Sequence, residues 1–252
     1  MKRIYTLLLL LLLIGVFQII VASDKKTVAD KAYQDNNFKM AITVYNKILE
    51  EGKESSALYY NLGNSYYKLD SLGKAIISYE RALLLNPEDE DIIFNLKMAR
   101  SKTIDKITPK REIFIVTWVR DLRLIFTESE WAIIAIISFL IVLFGCAIYV
   151  FSKKILLKKI GFTFAIICFV LTIMAHLFAK QQKNILIERK NAIVVCPTVT
   201  VRSTPNESGT ELFVVHEGAK LFIEDNSMSS WKEVSLADGN RGWIPESAIE
   251  VI

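Results

Sequence analysis

Residues 56–86 read SALYYNLGNSYYKLDSLGKAIISYERALLLN, and Pro87 follows. Tyr59, Leu62, Gly63 and Tyr66 stand at i, i+3, i+4 and i+7, so they share one stripe of an α-helix. Gly63 within that stripe lets a second helix approach closely. Asp70, Ser71 and Gly73 supply the turn and cap, residues 75–85 form the second helix, and Asn86-Pro87 stops it. The stretch is therefore a helical hairpin.

The hairpin has neighbours of its own kind. Ala29, Ala32, Tyr33, Asn36, Asn37, Phe38, Ala41, Tyr45 and Ile48 repeat its pattern about 34 residues earlier. After Pro87, Ile93 and Leu96 continue the first-helix stripe until Thr108-Pro109. Tyr59, Leu62, Gly63, Tyr66, Ala75, Tyr79, Ala82 and Pro87 carry a resemblance to the tetratricopeptide repeat. Residues 24–108 would then form two and a half repeats, stacked helical hairpins whose concave face, in that family, binds peptides or partner proteins.

On the helix period, the open face carries Tyr60, Asn64, Tyr67 and Lys68. The equivalent residues are Lys26, Asp30, Tyr33 and Gln34 one repeat earlier, and Asp91, Phe94, Met98 and Ser101 one repeat later. Tyr60, Asn64, Tyr67, Lys68, Lys26, Tyr33 and Phe94 are the candidate protein-binding residues, because aromatic area mixed with amides and a cation suits an extended peptide. The competing reading makes them ordinary solvated positions. The mixed charge departs from the tetratricopeptide proteins that clamp a carboxylate with several Lys and Arg.

Two later stretches, 131–151 and 160–179, carry no charge. At about 1.5 Å per residue each crosses a hydrocarbon core of roughly 30 Å. The turn between them, 152–159, holds Lys153, Lys154, Lys158 and Lys159, which marks it as cytoplasmic. Lys2 and Arg3 precede an apolar run over 4–21 and small residues at Ala22 and Ser23, as in a secretory signal over 1–23. The run is longer than a usual signal core, which leaves cleavage and retention as an anchor both open. Together these features place both soluble regions in the periplasm and make the chain a multi-pass protein of a bacterial inner membrane. Lys110, Arg111, Arg120 and Arg123 before the first span, and Lys180 and Lys183 after the second, run against that bias. Residues 109–130 form a membrane-proximal segment, read either as an amphipathic interfacial helix or as the terminal helix covering the solenoid's open end. Trp131 and His176 are expected near the outer membrane surface in an interfacial role.

The net charge of +4 is accounted for by Lys2, Arg3 and the four turn lysines. Residues 24–130 are balanced and residues 180–252 are slightly acidic, so no basic groove exists for nucleic acid. Cys146 and Cys168 fall in the spans and Cys196 stands alone, which implies no disulfide framework. No metal-ligand or phosphate-loop spacing occurs, and a Cys196–His216 dyad would compete with the fold of its own domain. A non-enzymatic protein without cofactor or metal is expected.

After a linker at 180–190 the pattern becomes short β-rich runs: 193–195, 199–201, 212–215, 221–223, 231–234 and 242–244, punctuated by Thr204-Pro205-Asn206, Glu217-Gly218 and Asp238-Gly239. A small all-β barrel over 191–252 follows, with Trp231 and Trp243 read as part of its core, against the alternative that they form an exposed aromatic cleft. Residues 201–205 (VRSTP), then Glu217-Gly218, Trp231, Gly239 and Gly242-Trp243-Ile244 resemble the bacterial SH3-like domain. Relatives of that domain contact cell-wall peptide or glycan.

The whole order resembles the BatE family of the Bacteroides aerotolerance operon. That resemblance implies membrane partners of the MoxR-associated von Willebrand A-domain type and a role in envelope stress. The expected function is an inner-membrane scaffold or adaptor. The alternative is a cell-wall anchor or sensor that holds peptidoglycan through the SH3-like domain.

Overall fold

The computed structural model describes residues 25–110 and 113–252. The signal-like run at 1–23 lies outside the described residues. The chain forms two compact units: residues 25–85, 89–109 and 191–252 make the first, and 86–88 with 110–190 make the second. The two soluble regions that the sequence separates by two apolar spans thus belong to one unit.

Helix α1 is described from residue 25 to 34, and α2 (Phe38–Glu50), α3 (Ser56–Lys68), α4 (Leu72–Leu85) and α5 (Glu90–Ser101) follow. Asn37, Ser55 and Asp89 cap their helices with side-chain oxygens that accept backbone N–H groups of the first turn. Asp70 turns α3 into α4 with φ 56°. Ala29, Ala41, Tyr45, Leu58 and Leu62 pack the first hairpin against the second. Ile76, Tyr79, Ala82, Ile92 and Leu96 continue that core. A Cβ on Gly63 would stand 2.7 Å from the Tyr79 ring, so the close approach read at this glycine is real. In α5 the buried stripe is Ile92, Leu96 and Ala99, and Ile93 is exposed. Among the described residues no helix covers Ile93, and the chain leaves the repeat irregularly after residue 101.

The C-terminal region is one antiparallel sheet of seven strands, β1 (Asn191–Val194), β2 (Thr198–Arg202), β3 (Glu211–His216), β4 (Lys220–Asp225), β5 (Trp231–Ser235), β6 (Arg241–Pro245) and β7 (Ile249–Val251). Its order is β3-β2-β6-β5-β4-β1-β7. Strand β7 is the element the sequence reading lacked. Trp243 pairs with Glu233, and Trp231 with Pro245, on the face opposite Val234 and Ile244. Both tryptophans are half-buried outside the core, which corrects the expectation that they fill it.

Strand β1 joins the sheet to the repeats. Ala192 and Val194 enter the sheet core while Ile193, on the other face, enters the helical core with Ile252. Around this seam Glu80, 4% exposed, pairs with Arg100 and with Lys220 at 2.7 Å. Arg81 pairs with Glu250 at 2.9 Å. The backbone N–H of Gly73 donates to Glu217 at 3.1 Å.

The second unit holds α6 (Phe114–Leu124), α7 (Glu128–Phe151) and α8 (Ile155–Glu188). Both α7 and α8 are long and apolar enough to cross a membrane, with mean hydropathy of 2.9 and 2.3 in their most apolar windows. They cross at Gly145 and Gly161, where a Cβ on either would meet the other's carbonyl oxygen at about 3 Å. Helix α8 runs on to Glu188, so most of the segment read as a linker at 180–190 is helical. The indole of Trp131 is buried against Phe126 and Phe178 and donates to the Arg123 carbonyl at 2.8 Å. Trp131 is thus a packing residue of this unit, not an exposed interfacial one. Gln182 donates to the carbonyls of Arg123 and Phe126, which fastens the α6–α7 turn to α8. Helix α6 buries none of its residues and belongs to this unit.

Candidate functional site

The open face of the repeats is a groove of about 270 Å³. It is lined by Tyr33 from the end of α1, by Tyr60, Asn64, Tyr67 and Lys68 from α3, by Tyr79 from α4, and by Asn95 and Met98 from α5. Five of the seven candidate residues meet there. Lys26 instead pairs with Asp30 at 2.8 Å, one turn along its own helix. Phe94 is 62% exposed outside the groove. Phe94 stands one repeat after Tyr60, but Tyr60 is enclosed by α5, whereas among the described residues no later repeat encloses Phe94.

The groove floor is a hydrogen-bonded network. Tyr79 Oη donates to Asn64 Oδ1 at 2.7 Å. Asn95 Nδ2 donates to the same oxygen at 2.9 Å and to Tyr60 Oη at 3.0 Å. Among the described residues Asn64 Nδ2 and Asn95 Oδ1, one a donor and one an acceptor, take no part in this network. The Tyr60 and Tyr79 rings lie 6.1 Å apart, and Lys102 Nζ stands 4.3 Å from the Tyr67 ring centroid. Burial pushes the Tyr79 phenol above its ordinary range, and burial followed by the nearby Tyr60 does the same to Tyr33. Both stay neutral hydroxyls at physiological pH.

Asn95 and Tyr79 were missed in the sequence. Tyr79 serves both packing and groove, because its ring meets Gly63 while its hydroxyl reaches Asn64. Asn95 lies one position off the expected stripe of α5; its repeat partner Asn61, which donates to Asp30 at 3.1 Å, was the available signal.

A larger cavity of about 420 Å³ lies between the end of α5 and the sheet. Its charges are engaged: Arg100 and Lys220 hold Glu80, Lys106 donates to carbonyls of residues 100, 101 and 103, and Asp105 accepts from the His216 backbone at 2.6 Å and meets its ring at 2.9 Å. Cys196 lies against the carbonyls of Thr198 and Ala248. Cys196 and His216 therefore have other partners and form no dyad. Among the described residues no cluster of His, Cys, Asp and Glu could hold a metal ion.

Residues 56–89 match the tetratricopeptide repeat family. Repeats of this family generally mediate protein–protein interactions, and they are typically non-enzymatic. No curated protein matches the chain.

Proposed function

We propose that the protein is a membrane-held scaffold that recruits an extended segment of another protein into the groove of Tyr33, Tyr60, Asn64, Tyr67 and Asn95. The carrying observation is the network that saturates Asn64 Oδ1 and leaves a donor and an acceptor framed by tyrosine rings. Such a floor binds main chain through the amides and side chains through the rings. Helices α7 and α8 supply the membrane hairpin. Only 17% and 28% of their most apolar windows is buried within the protein, which favours lipid contact over a soluble core. The shared unit of residues 25–85, 89–109 and 191–252 supports one side of the membrane for both, and the lysine turn favours the periplasmic side. The sheet is read as an SH3-like barrel, and the partners as membrane proteins of an envelope-stress or aerotolerance complex.

Tyr60→Ala with Tyr67→Ala removes two ring anchors, often worth about 2 kcal/mol each in an interface. Co-purification from crosslinked membranes should lose partners by at least about tenfold, which needs only about 1.4 kcal/mol. Unchanged recovery of the same partners, with the helical circular dichroism signal intact, would sink the groove.

A second reading is favoured by the half-buried Trp231 and Trp243 on the outer face of β5 and β6. There the sheet holds cell-wall glycan or peptide. Trp243→Ala should then abolish co-sedimentation of the full chain with purified cell wall, an effect the groove variant lacks.

A further inference from the structure

Helix α6 spans 11 residues and buries none of them. On the helix period Phe114, Ile115, Trp118, Val119, Leu122 and Ile125 fall within one arc of about 140° that carries no charge. Thr117, Arg120, Asp121 and Arg123 lie on the rest of the circumference. Phe114 is 79% exposed, Ile115 66% and Trp118 58%. Spacings of one, three and four residues make these three side chains neighbours on the helix surface. A contiguous apolar patch of that kind marks a docking face, unlike apolar residues scattered singly over a surface.

The C-terminal end of α6 shows what the face meets. The Arg123 carbonyl accepts from the Trp131 indole at 2.8 Å and from Gln182 at 2.7 Å, and the Phe126 carbonyl accepts from Gln182 at 2.6 Å. Leu122 packs into the same cluster as Trp131 and Phe178. Trp131 opens the uncharged stretch of α7, and Gln182 follows Ala179, the last residue of the uncharged stretch of α8. The last turn of α6 is therefore fixed where both apolar stretches end. Exposed apolar side chains of the two spans begin at that level, with Ile133, Ile136 and Leu177. The open arc of α6 thus adjoins the surface that lipid covers in the membrane reading. Arg120 and Arg123, on the other arc, suit the phosphates found at this depth, and Trp118 brings an indole to the same boundary.

We propose that α6 lies along the bilayer surface opposite the lysine turn, with its apolar arc among the acyl chains and its arginines among lipid phosphates. The proposal rests on the membrane reading of α7 and α8. An amphipathic helix so placed sinks its apolar face about 5–10 Å into the boundary between headgroups and chains. It gives the chain a second hold on the membrane and fixes the depth of the turn that enters α7.

The test uses the full chain with Cys146, Cys168 and Cys196 changed to Ala, in nanodiscs of phosphatidylcholine and phosphatidylglycerol. A nitrobenzoxadiazole label is placed at Ile115→Cys on the apolar arc, at Thr117→Cys on the polar arc, or at Leu140→Cys on the exposed side of α7. The label at 115 should be quenched by lipids carrying a nitroxide near the headgroup, and by aqueous cobalt at least about fivefold less than the label at 117. Phe114→Cys carries the same expectation where Ile115→Cys prevents accumulation. Equal cobalt quenching at 115 and 117, with the label at 140 quenched by lipid nitroxide, overturns the surface helix alone. Protection at 115 from both quenchers also overturns it, since protein then covers the arc. Lipid quenching at 115 and 117 alike shows a helix sunk in the bilayer and overturns the surface placement. Cobalt quenching at 140 overturns the membrane reading and the surface helix with it.

Discussion

At the residue scale, Gly63 and Asp30 make contrasting tests. The space beside Gly63 is already taken by the Tyr79 ring, so Gly63→Ala should cost about 1–3 kcal/mol by overpacking. Lys68→Ala, on the exposed rim, should stay within about 0.5 kcal/mol. Equal thermal midpoints for the two variants would refute the helix register. Asp30 concerns acid. Burial raises its pKa, but hydrogen bonds from Lys26, Tyr45 and Asn61 outweigh that and hold it below its ordinary value. The folded state thus prefers the carboxylate. Its contribution is fully present above the ordinary carboxylate range and is lost as pH falls through the lowered value. Asp30→Asn should therefore reduce stability near neutrality while flattening its loss in acid, measured as denaturation midpoints from pH 7 to pH 3. A variant whose acid profile parallels the parent's would show that Asp30 is not the group responsible.

At the element scale, β1 decides how sheet and repeats meet. Its two faces serve two cores, so Ile193→Ala should cost about 2–5 kcal/mol while touching no sheet-core neighbour. Hydrogen exchange should rise in α4 as well as in β1, and a rise confined to the sheet would contradict the seam. Lys220→Met probes the same seam through charge. Glu80 would keep Arg100 but lose a charged hydrogen bond worth about 1.5–3 kcal/mol. Removing residues 191–252 altogether would uncover Ile76, Glu80 and their neighbours, so that deletion cannot isolate the groove from the sheet.

At the scale of the whole molecule, the proposed membrane hairpin, joined to a single unit made of residues before and after it, places those residues in one compartment. In a background without the native cysteines, Ser208→Cys and Lys97→Cys should both react with an impermeant maleimide in spheroplasts. Lys153→Cys in the turn should react only after lysis. Reaction at one of the first two and not the other would refute the hairpin topology.

The sequence by itself determined what local periodicity encodes. The repeat hairpins, the two apolar helices and six of the seven strands follow from spacings of 3.6 and 2 residues and from their turn residues. Most of the groove was legible for the same reason, because Tyr33, Tyr60, Asn64 and Tyr67 sit on helix faces whose direction the period dictates. Tertiary structure decided whatever depends on which neighbour covers a face. Phe94 and Ile93 carry the right spacing and stay exposed, since no further repeat among the described residues covers them. Trp231 and Trp243 alternate correctly but lie on the outer face, a choice of side that alternation alone leaves open. The run from Ala192 to Val194 is apolar on both sides, and only the docking of α4 explains why. Burial on both faces comes from contacts between segments more than a hundred residues apart, and no local period records them.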